Sequence, residues 1–232
     1  MNTHSARSAW ADPARSAWPE LARKEFRLNL SPWLTLFWLF GALLLIPAWP
    51  YFIAFAYLFM FFMVVSQTDK ANRDLEFTVL LPVPRSGIVT ARTCTAVIAE
   101  LSTLALGVPF AIAHHAIYSH DNQAGMNPNL AFFGLMLVMY ATFNLVYLPG
   151  SYQAPYRMLW PILGGSLLAL AVGGTLTTAV AVVPALAERF NHRGLGQGGW
   201  QTLLLALGAV VFGAFTWLAH RRAVAHLNAI DL

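Results

Sequence analysis

The chain has 232 residues, of which 58% are apolar types and 10% are charged, with a formal net charge of +4 at pH 7. Soluble domains carry roughly 25% charged residues, so this composition cannot clothe a globule in water-facing groups. Disorder needs low hydrophobicity and high charge and is excluded, and the single cysteine, Cys94, excludes a disulfide scaffold. The solvent of most of this protein is lipid.

Residues 1–18 contain a duplicated stretch, ARSAW at Ala6 to Trp10 and again at Ala14 to Trp18. Eight residues advance a helix about 80° beyond two turns, so the copies would not share a face. The segment reads as a flexible arm with tryptophans at the membrane surface. No secretory signal is apparent, because the first 30 residues hold no apolar core. Residues 19–31 read as an interfacial amphipathic helix. Pro19 suits a first helical position and Glu20 the positive end of the helix dipole. Trp18, Leu21, Ala22, Phe26, Leu28 and Leu30 form a broad apolar arc opposite Arg23, Lys24 and Arg27. Glu25 and Asn29 interrupt the apolar side, and Glu25 is a candidate partner for an arginine of the next loop.

Apolar stretches follow at 33–47, 51–65, 97–118, 130–148, 158–186 and 200–219. About 20 residues cross the hydrocarbon. The first two stretches are short and separated by Pro47 and Pro50, so they form either one broken, over-long span or a hairpin of two thin ones. Lysine and arginine accumulate on the cytoplasmic side. A hairpin places 12 of the 14 lysines and arginines inside and leaves only Arg189 and Arg193 outside, whereas one long span divides them 7 and 7. The expected fold is therefore all-α, a polytopic membrane protein with six transmembrane helices over 32–232 and both termini cytoplasmic.

The loop 66–92 is the most informative part of the chain. Thr68 or Asp69 can cap a helix, and Asp69/Arg73, Lys70/Asp74 and Arg73/Glu76 stand at i,i+3 or i,i+4 spacing. The apolar run 77–81 follows, then Pro82 and Pro84 forbid a continuous helix, and Ser86 can cap the third span. A charged turn, an apolar run and a proline-stiffened corner suit either packing on the chain's own bundle or docking of a partner.

Residues 19–92 resemble the permease subunits of bacterial ABC-2-type exporters. The resemblance is carried by LARKEFR at 21–27, IPAWPY at 46–51 and above all NRDLEFTVLLPVPRSGIVTAR at 72–92. It covers about a third of the chain, and Pro84 departs from the pattern. It implies an N-terminal connecting helix and a coupling segment, 68–86, that face a separate nucleotide-binding ATPase subunit. The interface would comprise Asp69, Lys70, Arg73, Asp74 and Glu76, flanked by Phe77, Pro82 and Arg85, with Glu25 from the connecting helix. It further implies a pathway built by two six-span units, either a homodimer or a pair with a sister permease, in the cell (inner) membrane.

No segment of the chain matches a P-loop. The only lysines, Lys24 and Lys70, precede Glu25 and Ala71 and not the Ser or Thr that G-x-x-x-x-G-K-[ST] requires. ATP and Mg are thus expected on the partner, with no cofactor on this chain; lipid is an expected partner and nucleic acid is not. A motor-independent carrier or channel, or an intramembrane enzyme, are the alternatives. A carrier would show interrupted helices in matching halves, and Pro47 and Pro50 have no counterpart in the second half. An enzyme would need a nucleophile and base within the bundle.

Several residues in the spans remain as candidates for the substrate path or for helix packing. The third helix could run from Ser86 to Ile117, about 48 Å, which would put Glu100 near the inner boundary and favour an interfacial ion pair with Arg92. Asn144, Tyr147, Thr175, Thr177 and Thr178 could line a polar path but more often join helices. Gly164, Gly165, Gly173 and Gly174 point to close packing of the fifth span. His114, His115 and His120, with Asp121, lack a metal-ligand spacing and read as interfacial histidines, so no metal site and no catalytic set is expected.

Overall fold

The computed structural model describes residues 32–80, 84–153, 159–194 and 198–229, and every regular element among them is helical. The expected arm and interfacial helix lie outside the described residues. Helix α1 (Pro32–Leu39) tightens into a 3-10 turn (Phe40–Leu45), and α2 (Phe52–Ala56) runs into α3 (Leu58–Ala71). Then come α4 (Asp74–Val79), α5 (Arg85–Ile117), α6 (Leu130–Gln153), α7 (Leu159–Val182), α8 (Pro184–Phe190) and α9 (Gly199–Asn228). Five segments are long and apolar enough to cross a membrane: Phe52–Ala71 and the whole of α5, α6, α7 and α9. The chain is a polytopic, all-helical membrane protein.

The first apolar segment, Leu34–Leu45, is shorter than a span. It nevertheless folds back on the second as a hairpin. Phe37 meets Phe61 at 5.9 Å and Phe40 stacks on Tyr57 at 4.5 Å, so contacts advance along one strand of the hairpin as they recede along the other. Ala48, between Pro47 and Trp49, makes the reversal at φ +58. Tyr118 donates its hydroxyl to Leu45 O at 2.9 Å, and Trp38 Nε1 donates to Ser102, which fasten the hairpin to α5.

Helix α6 is the axis of the bundle. It is apolar all round, and 17 of its 24 residues are buried, the pattern of a helix enclosed by others. Phe59 stacks on Phe143 at 4.5 Å, and Tyr140 gives its hydroxyl to Phe55 O at 3.0 Å, where α2 passes irregularly into α3. Small residues set the closest approaches, as expected where lipid supplies no hydrophobic drive between helices. On α7, a side chain at Gly173 would meet Met139 at 2.7 Å and one at Gly165 would meet Phe143 at 3.2 Å. The tightest approach is between α6 and α9, where a side chain on Gly208 would run into the Gly134 carbonyl.

The apolar stretch expected through 186 stops earlier. Val183 is extended at ψ +114 and Pro184 opens α8 at its first position. The proline ring excludes the helical conformation for the residue before it, which ends α7 at Val182.

The end of the bundle holding the α5–α6 and α8–α9 connections is tied by asparagines. Asn129 caps α6 by accepting from Phe132 N at 2.9 Å, and its Nδ2 donates to Phe190 O and His192 O at 2.7 and 2.8 Å. Asn127 donates to Asp121 Oδ1 and to Asn191 O, and Arg193 donates to Tyr118 O and Ser119 O. Asn129→Ala removes a cap and two carbonyl partners, so a loss of about 2 kcal/mol is expected, read as a lower melting temperature in detergent.

Candidate functional site

At the other end of the bundle the chain forms an elbow. Arg73 sits in the left-handed region, φ +49 and ψ +38, and this breaks the helix between α3 and α4. Thr68 therefore caps nothing; it lies inside α3, where its hydroxyl donates to Val64 O at 3.0 Å. Asp69 and Lys70 belong to the last turns of α3, and the short helix starts at Asp74. The expected ladder of Asp69/Arg73 and Lys70/Asp74 pairs assumes one continuous helix, and the left-handed residue removes that register.

Both acids pair elsewhere. Arg92 Nη2, from α5, donates to Asp74 Oδ2 at 2.9 Å and lies 3.4 Å from Asp69 Oδ2. One guanidinium thus ties the end of α3, the start of α4 and the body of α5. All three side chains are only 13–15% exposed, so salt screens the attraction less than it would on open surface. Beneath them lies a cavity of about 30 Å³, lined in part by Phe62, Ser66, Tyr147 and Tyr152, with room for roughly one water.

Helix α4 is two-sided. Leu75 is buried with Ile88, Val89, Leu148 and Leu227, and Thr78 is buried too. Phe77 is 61% exposed and Leu80 85% exposed, at the end of the bundle where the acids sit. Pro84, extended at ψ +137, precedes α5, and no side chain caps that helix. Ser86 accordingly lies within α5 and does not cap it. Arg85 closes a different helix end: its Nη1 donates to Leu227 O at 3.0 Å, satisfying a last-turn carbonyl of α9.

A second polar group lies deep in the bundle. Glu100 on α5 is fully buried, and its Oε2 accepts from Asn144 Nδ2 of α6 at 2.9 Å. The same Nδ2 lies 3.2 Å from Thr216 Oγ1 of α9. This corrects the expected interfacial pair of Glu100 with Arg92, since Arg92 is held by Asp69 and Asp74 and Glu100 sits near the midpoint of α5.

With the elbow and the buried group in view, the comparison with protein families is decisive. A family model described as ABC-2 family transporter protein matches residues 21–219. This chain belongs to the ABC-2 transporter family. No curated protein and no solved structure matches it.

In this ABC-2 permease the remaining candidates part company. Asn144 belongs to the buried group, whereas Tyr147 lines the small cavity under Arg92 and meets Ser66 at 3.4 Å. Thr175 and Thr178 are on the exposed face of α7, and the neighbouring Thr177 is the buried one, donating to Gly173 O at 2.8 Å. Lys70 and Arg73 are exposed, while the side chains of Glu76, Pro82 and Glu25 lie outside the described residues. His114 Nδ1 meets Tyr51 Oη at 3.3 Å and His115 Nε2 meets Pro128 O at 3.1 Å. Both imidazoles therefore lock the hairpin and the α5–α6 loop to the bundle.

Leu80 and Thr216 were not singled out by pattern, and Arg92 was paired in the sequence with Glu100 instead of with Asp69 and Asp74, which it meets. An arginine following a cluster of acids by 18 and 23 residues is a signal only once the intervening corner is known to fold back.

Proposed function

We propose that this chain is the transmembrane permease subunit of an ATP-driven exporter and takes its power stroke from a separate ATPase through the elbow. The observation that carries this reading is α4 itself, which is anchored by Leu75 and the Asp74–Arg92 pair yet presents Phe77 and Leu80 to the outside of the bundle. Exposed apolar side chains rimmed by charge mark a docking site. Arg92 makes that helix one mechanical unit with α3 and α5, so a push on α4 reaches the spans.

The chain forms six spans with both termini in the cytoplasm, supported by the 12 to 2 distribution of lysine and arginine. The hairpin of Leu34–Leu45 on the second span supplies the sixth crossing. Export, the inner membrane, the ATP and Mg bound by the partner, and a second permease copy or sister permease complete the reading. The pathway lies between the two permeases. In this arrangement Asp69, Asp74 and Arg85 hold the elbow in shape from within, and Lys70, Arg73, Glu76, Phe77 and Pro82 face the motor together with Glu25.

Co-purification with the ATPases encoded beside it tests the proposal. Replacing both Phe77 and Leu80 by aspartate removes apolar contacts worth about 2 kcal/mol or more, so binding of the motor is expected to weaken at least about 30-fold while the chain stays folded. Unchanged retention of the ATPase, or labelling of a cysteine at position 77 from the extracytoplasmic side, would overturn the reading.

A further inference from the structure

Glu100 stands 15 residues from the start of α5 and 17 from its end, about 22 and 25 Å along the axis. It is completely buried, and its one hydrogen-bond partner among the described residues is Asn144 Nδ2. Glu100 Oε1 and Asn144 Oδ1 are both buried with no partner there. Two neighbouring side chains thus each leave an acceptor unmet, which is a shortage of donors at one place in a bundle that lipid surrounds.

The charged and titratable groups on the helices around it do not supply the missing donor. Arg92, eight residues back on α5 and about 12 Å along the axis, is held by Asp69 and Asp74. His220, one turn beyond Thr216 on α9, shares a contact with Thr93 Oγ1 at 3.2 Å. Tyr140, one turn from Asn144 on α6, spends its hydroxyl on Phe55 O. An ionised carboxylate with a single amide donor would cost several kcal/mol in such a setting. A neutral acid brings its own O–H and turns a surplus of acceptors into a matched set.

We propose that Glu100, Asn144 and Thr216 form an intramembrane site for one proton, with Glu100 held as a neutral carboxylic acid that cross-links α5, α6 and α9. Wetting of this site breaks the O–H bond, passes the proton to water and leaves a hydrated carboxylate, so the closed packing of the three helices is favoured by low pH. The inference stands on the helix bundle alone and does not depend on the motor subunit.

Infrared spectroscopy of the full chain in phosphatidylcholine vesicles tests it. At about pH 7 the wild type is expected to show the carbonyl band of one protonated carboxyl. Glu100→Gln should lose that band, and Asn144→Leu, which removes the bonded amide, should shift it. Melting supplies the second readout: raising the pH from about 7 to about 9 should lower the wild-type melting temperature more than that of Glu100→Gln, whose amide cannot ionise. Absence of the band, its persistence in Glu100→Gln, or a carboxylate band that responds to added sodium and marks a cation site would each overturn the proposal. The same fall in melting temperature for both proteins would overturn it too.

Discussion

Gly208→Val is expected to destroy the native bundle. A side chain at position 208 meets the carbonyl of Gly134, and the reciprocal position, Gly134, would bring a side chain to 2.6 Å from Leu204 O. The obstacles are backbone atoms inside two long helices, and these cannot rotate aside as the tip of a flexible side chain can. Overpacking a core costs about 1–3 kcal/mol where side chains can adjust, and more where only whole helices can move. The α6–α9 contact carries the hydrogen bond between Asn144 and Thr216, so its separation also strips the buried polar group. The expected result is loss of the monodisperse peak in size-exclusion chromatography in detergent. Gly213 on the same helix has open space around it, and Gly213→Ala should keep that peak and gain up to about 1 kcal/mol from helix propensity. Equal behaviour of the two variants would show that α6 and α9 do not touch at this glycine pair.

Arg92→Met is expected to separate transport from folding. Methionine keeps the apolar stem of the side chain and removes the charge, leaving Asp69 and Asp74 facing one another without their bridge. Breaking a fully buried ion pair costs about 3–5 kcal/mol, and the slight exposure here reduces this to about 2 kcal/mol. That shift leaves the bundle folded, but α4 loses its tie to α3 and α5. Under the proposed coupling, partner binding should survive because Phe77 and Leu80 remain, whereas transport driven by ATP should fall at least about tenfold. Arg92→Lys should recover part of it, since an ammonium supplies the charge without the forked geometry. Transport at wild-type rate in Arg92→Met would show that the guanidinium is not the mechanical link.

The spans were legible because length and apolarity are one-dimensional properties, and a helix that crosses lipid needs nothing else to declare itself. The hairpin was legible only through loop charge, because the two short apolar runs and the prolines between them suited one broken span equally well. The elbow was recognised as a segment, yet its inner geometry was misread: a left-handed residue at Arg73 has no signature in composition, and it breaks the register on which every i,i+4 pairing depended. Glu100 was given the wrong partner, Arg92 in place of Asn144. A helix longer than the hydrocarbon can slide either way past its neighbours, and the register of α5 is set by Trp38 on Ser102, Tyr118 on Leu45 and the Asn144 amide.

From the order of its residues alone this protein was bound to be a bundle of apolar helices in a membrane, with a kinked, charged corner after the hairpin. Those properties follow from how many residues dislike water and where the charges interrupt them. Packing of the chain in three dimensions decided that Arg92 bridges Asp69 and Asp74, that Gly208 rests on the backbone of Gly134, and that one glutamate is shut away among three helices. Each of these joins residues far apart along the chain, and only the register between helices brings such partners within bonding distance.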